Sequence, residues 1–130
     1  MAIDFLTLTD VLAIHQRLID EHGGSAGVRD EGLLLSALAM PKTAFFGTYA
    51  HEDIFEMAAA YLFHLVMNHP FVDGNKRAGA AAAVVFLRIN DIVLTADNQK
   101  LFEFTLSVAQ GQQSKTQIAT FLKQHAQLKH

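Results

Sequence analysis

The chain has 130 residues, of which 51% are hydrophobic, and a formal net charge of −3, so it can bury a core of its own without metal or disulfide staples. It contains no cysteine, which excludes a disulfide framework and a cysteine-ligated zinc site and makes the reducing cytoplasm the expected compartment. The acidic balance and the scatter of the basic residues argue against direct nucleic-acid binding, which draws on a positive patch that neutralises several phosphates.

The stretch Met1-Ala2-Ile3-Asp4-Phe5 lacks the basic region and apolar core of a secretory signal. The most apolar run, Ala78 to Leu87, is broken by Arg88 and falls short of the ~20 residues that cross a bilayer. No membrane association is expected, and one domain over residues 1–130 is the expected organisation.

Thr7 or Thr9 can cap a first helix whose apolar positions Val11, Leu12, Ile14, Leu18 and Ile19 follow helical spacing. Gly23-Gly24 stops it, giving a span of roughly 8 to 22. Asp30 caps a short helix carrying Leu33, Leu34 and Leu38, and Pro41 is expected to end it because proline disfavours helical geometry in the residue before it. From Lys42 to Glu52 the string Thr43-Ala44-Phe45-Phe46-Gly47-Thr48-Tyr49-Ala50 mixes aromatics with glycine and has no helical period, which predicts a loop or a small β flap. Two uses of that flap stay open: aligning a target segment by strand addition, or covering the core with Tyr49 and its neighbours.

Ile54, Ala58, Tyr61, Leu62, Leu65 and Val66 recur at three- and four-residue steps, predicting a long amphipathic helix that Pro70 ends near His69. Asn75 to Ile89 predicts a helix that is apolar nearly all round, and its small residues Ala78, Gly79 and Ala80 to Ala83 permit close helix approach. Asp97 caps a helix with Leu101, Phe102, Phe104, Leu106 and Val108 up to Gly111, and Ser114 caps a last one with Ile118, Phe121 and Leu122. The expected fold is an all-α bundle of about six helices with a small flap ahead of the two helices that flank the residues discussed next.

Between those two helices lies His69-Pro70-Phe71-Val72-Asp73-Gly74-Asn75-Lys76-Arg77, a combination that no packing argument requires. If Gly74 and Asn75 open the second helix, its unpaired backbone N–H groups and dipole make a site for anionic oxygen. Lys76 and Arg77 stand in the same first turn, where cations are disfavoured unless something negative sits between them. Asp73 is a hard oxygen donor beside that site and suits Mg²⁺, which is usually held by one or two carboxylates together with substrate phosphates. ATP with Mg²⁺ meets both demands, and His69 is the side chain there that can take a proton from an attacking hydroxyl near neutral pH. Phosphoryl or nucleotidyl transfer is the expected reaction class. His64 and His69 lack the H-E-x-x-H spacing of a metal hydrolase. His15, His22, His51, His125 and His130 stand in surface-like or terminal contexts with no partner motif and receive no role.

The run from His69 to Arg77 resembles the Fic/Doc motif, H-x-F-x-[DE]-x-N-[GK]-R, without a break. Gly23-Gly24-Ser25-Ala26-Gly27-Val28-Arg29-Asp30-Glu31-Gly32-Leu33-Leu34 and Asn68-His69-Pro70-Phe71 are also similar to Doc-type proteins, so the resemblance extends over most of the chain. It implies the compact Fic helical bundle, with the base at His69, Mg²⁺ at Asp73, phosphate contacts at Gly74, Asn75, Lys76 and Arg77, and Phe71 as the core anchor of the loop. Lys76 stands where Fic adenylyltransferases have glycine and Ala80 where they have a second arginine, and both departures are similar to Doc. For that branch the resemblance implies a toxin of a type II toxin–antitoxin system. Such a toxin transfers the terminal phosphate of ATP to a hydroxyl of a target protein, elongation factor Tu, and is covered by a Phd-type antitoxin. AMP transfer on the same fold and a catalytically silent Fic-fold binding module stay open as alternatives. No segment matches the inhibitory helix pattern [ST]-x-x-x-E-[GN], so restraint is expected from another polypeptide.

Overall fold

Capping side chains decide where the helices begin in the computed structural model, which describes residues 2–45, 47–51 and 53–128. Thr7 accepts from the Asp10 amide at 3.1 Å while the Asp10 carboxylate accepts from the Thr7 amide at 2.8 Å, a reciprocal box that starts α1 (Leu8–His22). Asp30 accepts from the Leu33 amide and opens α2 (Glu31–Ala39). An Asp53–Glu56 box, not foreseen in the sequence, opens α3 (Ile54–Asn68). Asp97 and Ser114 cap α5 (Asn98–Ala109) and α6 (Lys115–Gln124) as expected. With α4 (Asn75–Ile89) the α-helices among the described residues number six.

Three local features differ from the expectation or refine it. Pro41 does not stop the chain at the preceding residue: Met40 keeps helical angles (φ −59°, ψ −46°) and the chain tightens into a 3₁₀ turn over Met40–Lys42. Proline near the start of a new turn costs no hydrogen bond, because the first amides of a helix have no partner within it. The flap is β rather than plain loop: β1 (Ala44–Phe45) and β2 (Thr48–Tyr49) pair antiparallel, Ala44 with Tyr49 and Phe45 with Thr48. The expectations for Phe46, Glu52 and His130 lie outside the described residues. A second ribbon, β3 (Ile92–Leu94) with β4 (Ala126–Leu128), joins the segment after α4 to the one after α6. Each of its strands is three residues long, too short for a period-two pattern to show in the sequence.

The core forms around α3. Met57, Ala58, Tyr61, Leu62 and Leu65 are buried there, against Ala78, Ala82, Ala83, Phe86 and Leu87 of α4. Tyr61 carries its hydroxyl into this apolar setting, where it accepts from the Leu6 amide at 2.9 Å, and burial pushes the phenol up to about 12. Tyr49 of the flap stays 42% exposed while its ring edge meets Phe5 at 5.6 Å, which ties the flap to the N-terminal segment. Among the described residues no helix is long and apolar enough to cross a membrane.

The close approach of α3 and α4 turns on one glycine. A Cβ added at Gly79 would stand 2.8 Å from Val66 Cγ2 and 3.0 Å from the backbone oxygen of Leu62, and the second of these atoms cannot rotate away. Gly79→Ala should therefore lower stability by about 1–3 kcal/mol despite alanine's better helix propensity. Urea denaturation checks this, and an unchanged or higher midpoint would contradict it.

Candidate functional site

The loop between α3 and α4 starts where α3 is forced to stop. His69 takes left-handed angles (φ 51°, ψ 53°) as the helix cap, and Pro70 follows. The last carbonyls of α3 are then claimed from outside the helix: Arg29 donates Nε to the His69 oxygen at 2.6 Å and Nη2 to the Asn68 oxygen at 3.0 Å. A cation at the negative end of a helix is favoured by its dipole as well as by these bonds. The same segment runs alongside the loop. Arg29 and Asp30 donate their amides to the Pro70 oxygen at 2.7 and 3.0 Å, and Val72 donates to the Gly27 oxygen at 3.0 Å, with a bridge between Val28 and Phe71. The stretch from Gly24 to Asp30 is thus a wall of the loop.

Inside that wall the loop has a buried frame. Phe71 is fully buried, the anchor that the sequence suggested. Its ring stacks almost coplanar on His15 of α1, with centroids 3.8 Å apart and planes 4° apart. His15, expected at the surface without a role, is 4% exposed, and its Nε2 donates to the Asp73 oxygen at 2.7 Å. The signal was present in the sequence: His15 falls one turn after Val11 and one before Leu18 and Ile19, on the stripe that faces inward.

Asn75 completes the frame. It is also 4% exposed, and its side chain is spoken for: Oδ1 accepts from the Phe71 amide at 2.8 Å, while Nδ2 donates to the Phe71 oxygen at 3.0 Å and to His69 Nδ1 at 3.1 Å. What Asn75 can offer an anion is therefore its backbone amide. The two Phe71 bonds fix which way the amide faces, so His69 Nδ1 is an acceptor and the neutral ring carries its proton on Nε2.

His69, Asp73, Lys76 and Arg77 are exposed, while Gly74 is half-buried. Gly74 adopts left-handed angles (φ 78°, ψ 21°) at the start of α4, a conformation that suits glycine. The first bond within α4 runs from the Ala78 amide to the Gly74 oxygen at 2.9 Å, so the amides of Asn75, Lys76 and Arg77 precede it at the positive end of the helix. The other helices begin with a side chain accepting from their first turn, whereas α4 has no side-chain cap and no acidic residue there. Beside this end, Asp73 Oδ1 accepts from the Gly74 amide at 2.8 Å and Oδ2 from the Ser25 amide at 3.2 Å. A Cβ on Gly24 would come within 2.6 Å of Oδ2, so a side chain there would have to displace the carboxylate from its present place.

Among the described residues no group of three or more His, Cys, Asp and Glu could hold a metal ion. Asp73 as a lone carboxylate suits Mg²⁺ only as an ion shared with phosphate oxygens. Lys76 and Arg77 also border a cleft of about 380 Å³ between α1, α4 and α5, whose walls include Leu18, Ala80, Val84 and Phe102. His64 belongs elsewhere: its Nε2 meets Lys115 Nζ of α6 at 3.2 Å.

These features define a Fic-type loop on a Fic-type bundle, and the chain belongs to the Fic/Doc family, whose sequence profile matches residues 5–87. Toxin Doc of Mycolicibacterium smegmatis is 48% identical over 75 residues, 58% of this chain and 58% of that protein. Protein kinase doc of Escherichia phage P1 is 30% identical over 117 residues, which cover 88% of this chain and 89% of the phage protein.

Burial, then the nearby Lys115 and His51, lower the imidazole of His64 from 6.5 to about 4; burial and Lys115 lower His51 as well. The unfolded chain binds the His64 proton first as the solution is acidified. The contribution of this group is therefore fully present above pH 6.5 and lost as pH falls from 6.5 toward about 4. His64→Gln should flatten part of the acid-side loss of stability in that window, the His51 share remaining. Urea midpoints for both proteins across the window test this, and parallel curves would exclude the assignment.

Proposed function

We propose that the chain is the toxin of a type II toxin–antitoxin pair and that it transfers the terminal phosphate of ATP to a hydroxyl of a target protein. The observation that carries this reading is the start of α4, where Lys76 and Arg77 stand at the positive end of an uncapped helix. Charge of that sign at that place is stabilised by a bound polyanion. The amides of Asn75, Lys76 and Arg77, with the two cationic side chains, would take the phosphates in this scheme. Mg²⁺, when bound, neutralises charge on adjacent phosphates, and Asp73 is the residue that would hold it.

The target hydroxyl oxygen forms a bond to the terminal phosphorus as the bond to the bridging oxygen breaks, and ADP leaves. The hydroxyl proton passes to His69. Because Asn75 holds Nδ1 as an acceptor, proton uptake at the outer nitrogen, Nε2, requires the ring's own proton to move to Nδ1 and this contact to be released. Lys76 in place of glycine, and the name of the phage relative as a protein kinase, favour transfer of the terminal phosphate over AMP. Elongation factor Tu in the cytoplasm is the proposed target. A Phd-type antitoxin is the proposed partner, its covering segment laid in the apolar cleft beside Lys76 and Arg77.

Purified protein incubated with Mg²⁺, elongation factor Tu and either γ- or α-labelled ATP tests the reaction. Label from the γ position alone is expected; label from the α position would establish AMP transfer instead, and no label from either would leave the silent binding module. His69→Ala should slow labelling by about 10²–10⁴-fold with the fold retained. Asp73→Asn keeps the side chain's size but removes the charge, so it should weaken activity and Mg²⁺-dependent ATP binding together. Calorimetry with and without Mg²⁺ reads the second effect, and metal dependence equal to wild type would reject Asp73 as the ion's holder.

A further inference from the structure

We propose that His15, on α1 and outside the motif, is a positioning residue for the anion site. It acts by fixing the peptide unit between Asp73 and Gly74, and the proposal rests on the reading of that site given above.

That peptide unit is gripped at both ends. Its carbonyl accepts from His15 Nε2 at 2.7 Å and its N–H donates to Asp73 Oδ1 at 2.8 Å. A carbonyl oxygen can only accept, so the proton of the neutral His15 ring sits on Nε2. The coplanar stack on Phe71 holds the ring plane, and with it the direction of the donor. Rotation of this peptide would take the Gly74 N–H from Asp73 Oδ1, leaving the carboxylate held by Ser25 alone, and change the left-handed turn at Gly74 that aims the first amides of α4. His15 thus sets two elements of the site at once: where the carboxylate stands and where the helix mouth points.

Packing alone does not call for histidine here. A phenylalanine would stack on Phe71 equally well and would leave no polar ring nitrogens in a position that is 4% exposed. What histidine adds is the in-plane donor.

Two variants of the full chain separate the donor from the ring. His15→Phe keeps a ring against Phe71 and removes the donor, whereas His15→Gln removes the ring and offers an amide N–H to the same carbonyl. In ¹H–¹⁵N NMR without nucleotide, His15→Phe should shift the amide resonances of Gly74, Asn75 and Lys76, and His15→Gln should return them toward wild type. Affinity for Mg²⁺-ATP by calorimetry should fall by roughly 10–100-fold in His15→Phe, the range typical when a residue orienting a ligand group is lost, and recover in His15→Gln. Resonances and affinity unmoved in His15→Phe would overturn the proposal, as would losses in both variants that simply follow their thermal midpoints. Should His15→Phe fail to fold, the wild-type ring decides: ¹⁵N shifts showing protonation at Nε2 support the proposal, and a ring protonated on Nδ1 alone overturns it. If the wild type binds no Mg²⁺-ATP, the proposed function fails, and the nucleotide-free spectra still decide whether His15 positions the loop.

Discussion

A helix that begins without a side-chain cap, and with a lysine and an arginine in its first turn, is electrostatically unfavourable unless something outside the helix answers it. The start of α4 is such a place, and much of the surrounding structure holds it in that condition. Asp73 stands just ahead of it in the chain, yet both of its oxygens already accept from backbone amides, of Gly74 and Ser25. The carboxylate is therefore fixed beside the helix mouth rather than folded over it as a cap. The amides of Asn75, Lys76 and Arg77 precede the first bond within the helix, where the proposed anion would meet them.

Holding a strained loop in one shape takes a frame, and the frame here is drawn from three separate parts of the chain. Asn75 bonds both backbone groups of Phe71, His15 reaches over from α1, and the Gly24–Asp30 segment lies along the outside with Arg29 closing the end of α3. The motif accordingly splits by burial: Phe71 and Asn75 face inward, while His69, Asp73, Lys76 and Arg77 face outward. The inward residues determine geometry, and the outward ones carry the charge and the titratable ring. Behind them, the α3–α4 contact at Gly79 brings the two helices close enough for a short loop to join them.

Local rules made much of this legible in the sequence. Thr7, Asp30, Asp97 and Ser114 act through contacts three residues away, so the starts of α1, α2, α5 and α6 could be read directly. The outward residues of the loop were legible because their types are hard to explain by packing. Missing were the contacts that depend on long-range approach. Arg29 lies about forty residues from the carbonyls it caps, and the resemblance of its neighbourhood to Doc-type proteins does not reveal that contact. His15 lay on an apolar stripe, but its partners at Phe71 and Asp73 come from the other side of the fold. The β3–β4 ribbon is of the same kind, since two three-residue strands gain their identity only by meeting each other.

The Asn75 contact with His69 joins the proposed phosphate side of the site to the proposed base. The backbone amide of Asn75 belongs to the helix mouth, and its side chain holds the imidazole as an acceptor at Nδ1. A phosphate on that amide, as proposed, would contact the residue whose side chain decides where the ring's proton sits. An Asn75 that stayed rigid would keep the outer nitrogen of His69 protonated, unable to receive a proton from a hydroxyl. Release of the Nδ1 contact by the side-chain amide would free it, and that side chain belongs to the same residue whose backbone amide the proposed nucleotide would meet. In the proposed reading, the backbone of Asn75 faces the phosphates and its side chain faces the base, so the two halves of the site meet in one residue.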